Sequence, residues 1–183
     1  METQANISSD VRSFMKSRVI LTAAELDLFT KLDKNSISAK DLATMLYLNE
    51  RATTRILDCL ITFELLEKQN NCYRTTKKGS HLSSLHPHSF LPSVKHSIKL
   101  WNNWSHLTVA IKKGVNPHLQ ALGNKTVSDE ETKSFIGAMH IGARKLSGKI
   151  IDAYDSRPFK RLLDIGGGSG AYIIAFLQKN PQL

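Results

Sequence analysis

The run Gly166-Gly167-Gly168-Ser169-Gly170 constrains the fold more than any other part of this 183-residue chain. It follows the apolar residues Leu162, Leu163 and Ile165 and precedes the helix-forming run 171–179. Glycines allow the backbone to turn sharply and to approach a ligand closely, and the free N–H groups at the start of a helix attract an anionic group. The order of strand, glycine-rich turn and helix therefore predicts a nucleotide-binding α/β unit.

Asp164 separates two ligand classes for this turn. The positions Gly166, Gly168 and Ala171 also fit the fingerprint of dinucleotide-binding sites. A carboxylate two residues before the first glycine would repel a pyrophosphate, but it would attract a ligand that carries an ammonium and a sulfonium group. We therefore predict S-adenosylmethionine as the ligand, with its own carboxylate at the helix N-terminus. The alternatives are the NAD site of a dehydrogenase and a glycine-rich loop without any ligand.

The glycine-rich segment and two segments before it resemble a known family. Residues 162–170 closely resemble the S-adenosylmethionine-binding motif of the small-molecule O-methyltransferases of the caffeate and acetylserotonin type. The run Trp104-Ser105-His106-Leu107 with Gly114 is similar to the segment that these enzymes carry before their catalytic domain. Phe135 and Met139 resemble the Phe-x-x-x-Met pair of that family. The resemblance covers nearly the whole chain.

The resemblance implies a fold, a reaction and a set of site residues. The expected fold is a mainly α winged-helix dimerisation domain over residues 1–115, followed by linking helices and the first β-α unit of an α/β Rossmann-like methyltransferase domain over residues 116–183. The expected reaction transfers the methyl group of S-adenosylmethionine to a small, phenolic hydroxyl acceptor. The expected cofactor-binding residues are Asp164, Gly166, Gly167, Gly168 and Gly170, and the expected substrate-pocket residues are Phe135 and Met139.

The chain departs from the family pattern after the glycine motif. In the family, an acidic residue that binds the ribose follows the motif by about 20 residues, and a histidine further along is the catalytic base. Only residues 171–183 follow Gly170, so we assign no catalytic residue. We expect the chain to be the N-terminal portion of a longer enzyme and to be inactive alone. A smaller departure is Ala143, where related enzymes often carry a small hydroxyl residue.

The first third of the chain has the pattern of a small helical unit with a hairpin. The apolar residues expected on one face of the first helix are Phe14, Leu21, Ala24, Leu28 and Leu32. Ser38 with Asp41 predicts the start of a second, short helix, and Asn49 begins a third. Two β-prone runs flank Asn70-Asn71, a pair that favours a tight two-residue turn. Helix, helix-turn-helix and wing together predict a winged-helix unit.

A winged-helix unit in a basic chain makes a DNA-binding regulator the alternative function. The sequence has 25 Lys and Arg residues against 16 Asp and Glu residues, a net charge of +9, and no acidic residue lies between positions 68 and 128. The helix that would enter the major groove, however, carries Arg51 and Arg55 together with the acidic residues Glu50 and Asp58. Because a groove reader needs net positive charge on that helix, we expect nucleic acid not to be the partner.

Two longer helices are predicted in the rest of the chain. One begins near Pro92 and ends at Gly114, and it carries two apolar stripes, one through Trp101 and one through Trp104. Because a single core needs only one stripe, this helix is either buried on two sides or in contact with a partner chain. We expect a homodimer through the N-terminal part. The other helix begins at Ser128 with a capping box and runs to about residue 152. Its expected inner line is Phe135, Met139, Ala143, Leu146 and Ile150.

Histidines and cysteines give no sign of a metal site or of secretion. Six histidines lie in the acid-free stretch with a spacing that fits no metal-ligand pattern: His81, His86, His88, His96, His106 and His118. We expect them to be solvated or at an interface, and His140, beside Met139, not to be catalytic. Only two cysteines occur, no signal peptide is recognisable, and no apolar run reaches the roughly 20 residues that cross a bilayer. We therefore expect a cytoplasmic protein without membrane contact.

Overall fold

The computed structural model describes residues 2–116 and 128–183, and the chain divides into two compact units. The N-terminal unit is Met1–Lys95 and the C-terminal unit is His96–Leu183. The predicted domain boundary at residues 115 and 116 stays a prediction, because compactness within one chain does not test which segment folds independently. None of the helices in the described ranges has both the length and the hydropathy to cross a membrane.

The N-terminal unit is built from helices and one small sheet. Its elements in chain order are α1 (Glu2–Glu25), α2 (Leu28–Leu32), β1 (Ile37–Ser38), α3 (Ala39–Met45), α4 (Glu50–Thr62), β2 (Leu66–Gln69), β3 (Cys72–Thr75), a 3-10 helix (Gly79–Leu82) and the first residues of α5 (Leu91–Trp104). Its fully buried side chains include Tyr73, Phe29, Leu28, Leu32, Leu42, Leu57, Leu60 and Leu66. The core therefore lies among α2, α3, α4 and the sheet.

The single first helix that the apolar spacing predicts is two helices in the structure. Asp27 separates α1 from α2 with a left-handed backbone, φ 55°. Leu21 and the buried positions after it face the core as predicted, but Phe14 is exposed, because residues 4–17 of α1 all lie outside that core. The predicted face is therefore correct for the C-terminal half of the helix and wrong for its N-terminal half.

The predicted helix starts and the hairpin are confirmed. The Ser38 hydroxyl oxygen accepts a hydrogen bond from the Asp41 N–H at 3.1 Å, and the Asn49 side-chain oxygen accepts one from Ala52 N–H at 2.9 Å. Asn70 and Asn71 have φ values of 49° and 59° and join β2 to β3. These features depend only on residues that are close together in the chain, which is why they can be predicted from the sequence.

A third strand that the sequence does not signal completes the sheet. β1 pairs antiparallel with β3, and the strand order is β1-β3-β2. β1 has only two residues, too few for an alternating apolar pattern, so its conformation follows from pairing with β3. In β3 the buried Tyr73 hydroxyl donates to Asp58 Oδ1 at 2.8 Å, and burial raises the pKa of the Tyr73 phenol, which keeps it a neutral donor.

The helix predicted from Pro92 to Gly114 is also divided in two. α5 ends at Trp104, and α6 (Leu107–Lys113) follows. At the break, the Ser105 hydroxyl donates to the Trp101 carbonyl at 2.9 Å, and His106 Nδ1 lies 2.8 Å from the Asn102 carbonyl, to which it can only donate. Side chains thus compete with backbone N–H groups for helix carbonyls. Gly114, with φ 72°, ends α6 as predicted.

In the C-terminal unit, α7 (Asp129–Ala153) packs against α8 (Ala171–Lys179). The capping box of Ser128 and Glu131 at the start of α7 and the extent of α8 are confirmed. The predicted inner line of α7 is wrong: Phe135, Met139 and Leu146 are exposed, and the buried residues are Ala138, Ser147 and Ile151. α7 has apolar residues on more than one side, and the position of α8 selects the side that is buried.

The buried strand predicted over residues 162–165 does not form among the described residues. Leu163 is 81% exposed and Ile165 is 87% exposed. A strand needs a neighbouring strand for its backbone hydrogen bonds, and the only sheet in the described ranges is the one in the N-terminal unit. The strand prediction is therefore wrong for this chain, while the turn and the helix that follow it are present.

Candidate functional site

The glycine turn, residues 166–170, has the backbone that its composition predicts. Gly166, Gly168 and Gly170 have φ values of 73°, 54° and 71°, in the left-handed region that side chains disfavour. The Gly170 N–H donates to the Gly167 carbonyl at 2.8 Å and closes the turn directly before α8. Three of the four glycines are therefore required by backbone conformation.

The fourth glycine is required by a contact with Asp164. A Cβ atom added at Gly167 would lie 2.5 Å from Oδ2 and 2.7 Å from Cγ of the Asp164 carboxylate. Oδ2 itself is buried and has no hydrogen-bond partner among the described residues. Leaving a buried acceptor unpaired costs about 1–3 kcal/mol, and more when the group is charged. The carboxylate therefore lacks a donor that a cationic ligand group would supply.

The start of α8 offers donors close to this acceptor in the chain. Gly170 occupies the N-cap position and has no side chain with which to cap the helix, and the first bond of α8 runs from the Ile174 N–H to the Gly170 carbonyl at 2.9 Å. The N–H groups of Ala171, Tyr172 and Ile173 have no acceptor inside the helix for this reason. A carboxylate that lacks a donor, followed by helix N–H groups that lack acceptors, fits the ammonium and carboxylate of an amino acid such as the methionine part of S-adenosylmethionine.

α7 contacts the glycine turn through two residues spaced one helical turn apart, Ile136 and His140. Ile136 Cδ1 would lie 3.8 Å from a Cβ atom at Gly168, an ordinary packing distance. His140 Nδ1 lies 2.9 Å from Ser169 Oγ, and both side chains are partly buried. The sequence does not predict this contact of His140, because the two partners are 29 positions apart and no local pattern connects them.

Phe135 and Met139 each precede one of these α7 residues by a single position. They are 45% and 47% exposed, so neither is a core residue of the described chain. The Phe135 ring lies edge-on to the His96 ring with 5.5 Å between centroids, and Lys99 Nζ lies 3.7 Å from Glu131 Oε1 one turn earlier on α7. The assignment of Phe135 and Met139 to a substrate pocket stays a prediction.

Three residues of the histidine-rich stretch, His81, His86 and His88, form a local cluster of rings. The ring centroids of His81 and His86 are 4.2 Å apart, and those of His86 and His88 are 6.2 Å apart. The described part of the chain contains no group of three or more His, Cys, Asp or Glu side chains that could hold a metal ion. His118, which belongs to the same acid-free stretch of the sequence, lies outside the described residues.

Two family models match the chain. The O-methyltransferase dimerisation domain matches residues 10–84, and the O-methyltransferase domain matches residues 104–183. The first match lies within the N-terminal unit, and the second includes Asp164, the glycine turn and α8. Neither match supports the DNA-binding alternative.

Known proteins similar to the chain are methyltransferases. A human protein described as a probable bifunctional dTTP/UTP pyrophosphatase/methyltransferase is 30% identical over 94% of this chain and 30% of its own length. Chicken acetylserotonin O-methyltransferase is 25% identical over 86% of this chain and 50% of its own length. Human N-acetylserotonin methyltransferase, solved in complex with S-adenosylmethionine, superposes with a TM-score of 0.80 at 23% identity over 100% of this chain and 57% of that chain.

These comparisons and the geometry of the C-terminal unit agree. The chain spans at most about half the length of the two curated relatives, and the two family-model matches follow one another along it. The chain therefore belongs to the O-methyltransferase family, with the dimerisation domain and the beginning of the methyltransferase domain.

Proposed function

We propose that Asp164 and the glycine turn bind S-adenosylmethionine and that a protein containing this chain transfers a methyl group to a hydroxyl of a small molecule. One observation carries the proposal: the buried Asp164 Oδ2 lacks a donor, a few residues before the uncapped start of α8. Two findings support it further. One of the reported relatives, from chicken, is named as an O-methyltransferase, and the human N-acetylserotonin methyltransferase structure was solved with S-adenosylmethionine. The phenolic type of the acceptor rests on the family resemblance.

Each residue of the proposed site has a simple physical role. Asp164 accepts a hydrogen bond from the ligand ammonium, and the N–H groups at the start of α8 donate to its carboxylate. Gly166, Gly168 and Gly170 give the turn its backbone and leave its surface without side chains. When bound, S-adenosylmethionine supplies an electrophilic methyl group, and transfer to a hydroxyl needs a general base. No described residue is assigned as that base, so we expect no methyl transfer by the chain alone in a radiolabelled-methyl assay.

We also propose a homodimer formed through the dimerisation domain. In this proposal α3, α4 and the β2-β3 hairpin form a winged-helix unit that serves dimerisation and not DNA binding. The exposed apolar residues Ile7, Val11 and Met15 recur every four positions along α1, which suits burial against a second copy. Cys59 and Cys72 are both free thiols, in keeping with a reducing compartment such as the cytoplasm.

The cofactor assignment can be tested by calorimetry on the 183-residue chain. We expect S-adenosylmethionine to bind more tightly than NAD, because Asp164 attracts a cation and repels a pyrophosphate. Asp164→Asn removes the charge and keeps the shape, and it should weaken the affinity at least about tenfold, since a charge-assisted hydrogen bond is worth about 1.5–3 kcal/mol.

The matched control is Asp10→Asn, which removes a carboxylate from the exposed surface of α1 and should leave the affinity unchanged. Tighter binding of NAD than of S-adenosylmethionine, or no loss of affinity in Asp164→Asn, would contradict the proposed function.

A further inference from the structure

Ser169 is the one residue of the glycine turn that has a side chain. On either side of it, Gly168 and Gly170 occupy left-handed conformations with φ values of 54° and 71°. Glycine has the greatest backbone freedom of any residue, so a turn made of glycines loses the most conformational entropy when it is fixed in one shape. A hydrogen bond from outside can hold a side chain of this turn only through Ser169.

His140 makes that hydrogen bond. Its Nδ1 atom lies 2.9 Å from Ser169 Oγ, within the normal range for a hydrogen bond, and both side chains are partly buried. His140 belongs to α7, whose capped 25-residue helix provides a rigid support. Ile136, one turn earlier on the same helix, packs near Gly168. α7 thus holds the turn with one polar and one apolar contact.

We propose that His140 is a positioning residue for the cofactor site. Its bond to Ser169 fixes the glycine turn, so that the N–H groups at the start of α8 point to one place and bind the ligand carboxylate without further ordering. The inference rests on the proposed function, since it names a residue that supports the same site. His140 acts through Ser169 and needs no contact with the ligand.

This role makes a prediction that depends on the ligand. Loss of the His140 side chain should lower the affinity for S-adenosylmethionine, because the carboxylate of this ligand binds the helix N–H groups. It should leave the affinity for decarboxylated S-adenosylmethionine unchanged, because that compound keeps the ammonium and the sulfonium and lacks only the carboxylate. A general loss of folding would lower the affinity for both ligands equally.

The experiment uses the 183-residue chain and four variants at the contact. His140→Ala and Ser169→Ala each remove one partner, and the double variant removes both. His140→Asn places an amide N–H close to the position of Nδ1 and should restore the bond. The control is Lys145→Ala, which changes an exposed residue of the same helix. Calorimetry measures the affinity for each ligand, and hydrogen exchange of the ligand-free chain measures protection of residues 166–174.

We expect each single alanine variant to lose about fivefold to tenfold in affinity for S-adenosylmethionine, which corresponds to one hydrogen bond. The double variant should lose no more than either single variant, because both remove the same interaction. His140→Asn and Lys145→Ala should bind nearly as the unaltered chain does. In His140→Ala, the amides of residues 166–174 should exchange faster.

Two outcomes would overturn the inference while the proposed function stands. One is unaltered affinity for S-adenosylmethionine in His140→Ala, and the other is an equal loss for the decarboxylated ligand. If the unaltered chain bound no S-adenosylmethionine, the proposed function would fail. The exchange measurement would then still show whether the His140–Ser169 bond fixes the glycine turn. Unchanged protection of residues 166–174 in His140→Ala would contradict that role, and faster exchange would support it.

Discussion

The glycines of the turn are held by two different physical requirements. Gly166, Gly168 and Gly170 are fixed by their positive φ angles, whereas Gly167 is fixed by the Asp164 carboxylate, which occupies the space of a side chain. The first requirement is a property of the backbone, and the second depends on a neighbour. A substitution at Gly167 therefore reports on Asp164 without a direct change to that residue.

We expect Gly167→Ala to lower the affinity for S-adenosylmethionine about tenfold with little loss of stability. The new methyl group would push the Asp164 carboxylate from its place, and a short side chain can move at small cost, roughly 1 kcal/mol or less. Calorimetry gives the affinity, and urea unfolding gives the stability.

The control for Gly167→Ala is Gly142→Ala in α7. Apart from its chain neighbours and the backbone of its own helix, nothing lies within 4 Å of a Cβ added there. The change should raise the free energy of unfolding by about 0.5–1 kcal/mol and leave the affinity unchanged. Equal affinity of Gly167→Ala and the unaltered chain would contradict the proposed role of Asp164.

At the scale of elements, polar contacts join α8 to α7 at both ends of α8. His140 bonds to Ser169 near the start of α8, and at its end Lys179 Nζ donates to the Ile151 carbonyl at 2.8 Å and pairs with Asp152 at 3.0 Å. The positive charge lies at the C-terminal end of α7, where the helix dipole favours it. Directly after α7, Asp155 and Arg157 form a hydrogen-bonded ion pair, called the clasp below.

We expect this clasp to open only in strong acid. The Arg157 side chain donates to both carboxylate oxygens of Asp155, its backbone N–H donates to Oδ1, and these bonds lower the pKa of Asp155 from 3.8 to about 2. Because the pKa is lower in the folded chain, the stabilisation is fully present above pH 3.8 and is lost as the pH falls through about 2.

Carbon-detected NMR of the Asp155 carboxyl group measures this pKa directly. Arg157→Gln should return it towards its ordinary value, while Arg161→Gln, which changes an exposed arginine of the same segment, should not alter it. An unchanged pKa in Arg157→Gln would show that the clasp does not form.

At the scale of the whole molecule, each unit leaves large apolar side chains in solvent. In the N-terminal unit they lie along α1 and include Ile7, Val11 and Met15, and in the C-terminal unit they include Leu163 and Ile165. Exposed apolar surface of this extent usually marks an interface. The dimerisation-domain match covers α1 from residue 10 onward, which includes Val11 and Met15. We propose this surface of α1 as the homodimer interface.

We expect Val11→Glu to convert the proposed dimer into a monomer, because it places a charge within an apolar interface. Sedimentation velocity at micromolar concentration measures the change. The control is Ser9→Glu, which adds the same charge to the same helix about 160° away from Val11 by helical geometry, roughly 100° per residue. A monomeric unaltered chain, or a Val11→Glu variant that stays dimeric, would contradict the assignment of this face.

The sequence alone determined the features that depend on a few neighbouring residues. The caps at Ser38 and Asn49, the turn at Asn70-Asn71 and the glycine turn before α8 all appear where the sequence predicts them. Each follows from the conformational freedom or the hydrogen-bonding group of a residue at that position. The family resemblance was carried by the glycine-rich segment and two short segments before it, so it too could be recognised from sequence.

Only the tertiary structure decided which surfaces are buried and which distant residues meet. It divided the helix over residues 92–114, left residues 162–165 without a strand partner in the described ranges, and exposed Phe135 and Met139. It also brought His140 to Ser169 across 29 positions. The physical reason is the same in every case: burial and pairing depend on what the rest of the chain places alongside a segment, and no periodicity within that segment specifies its neighbour.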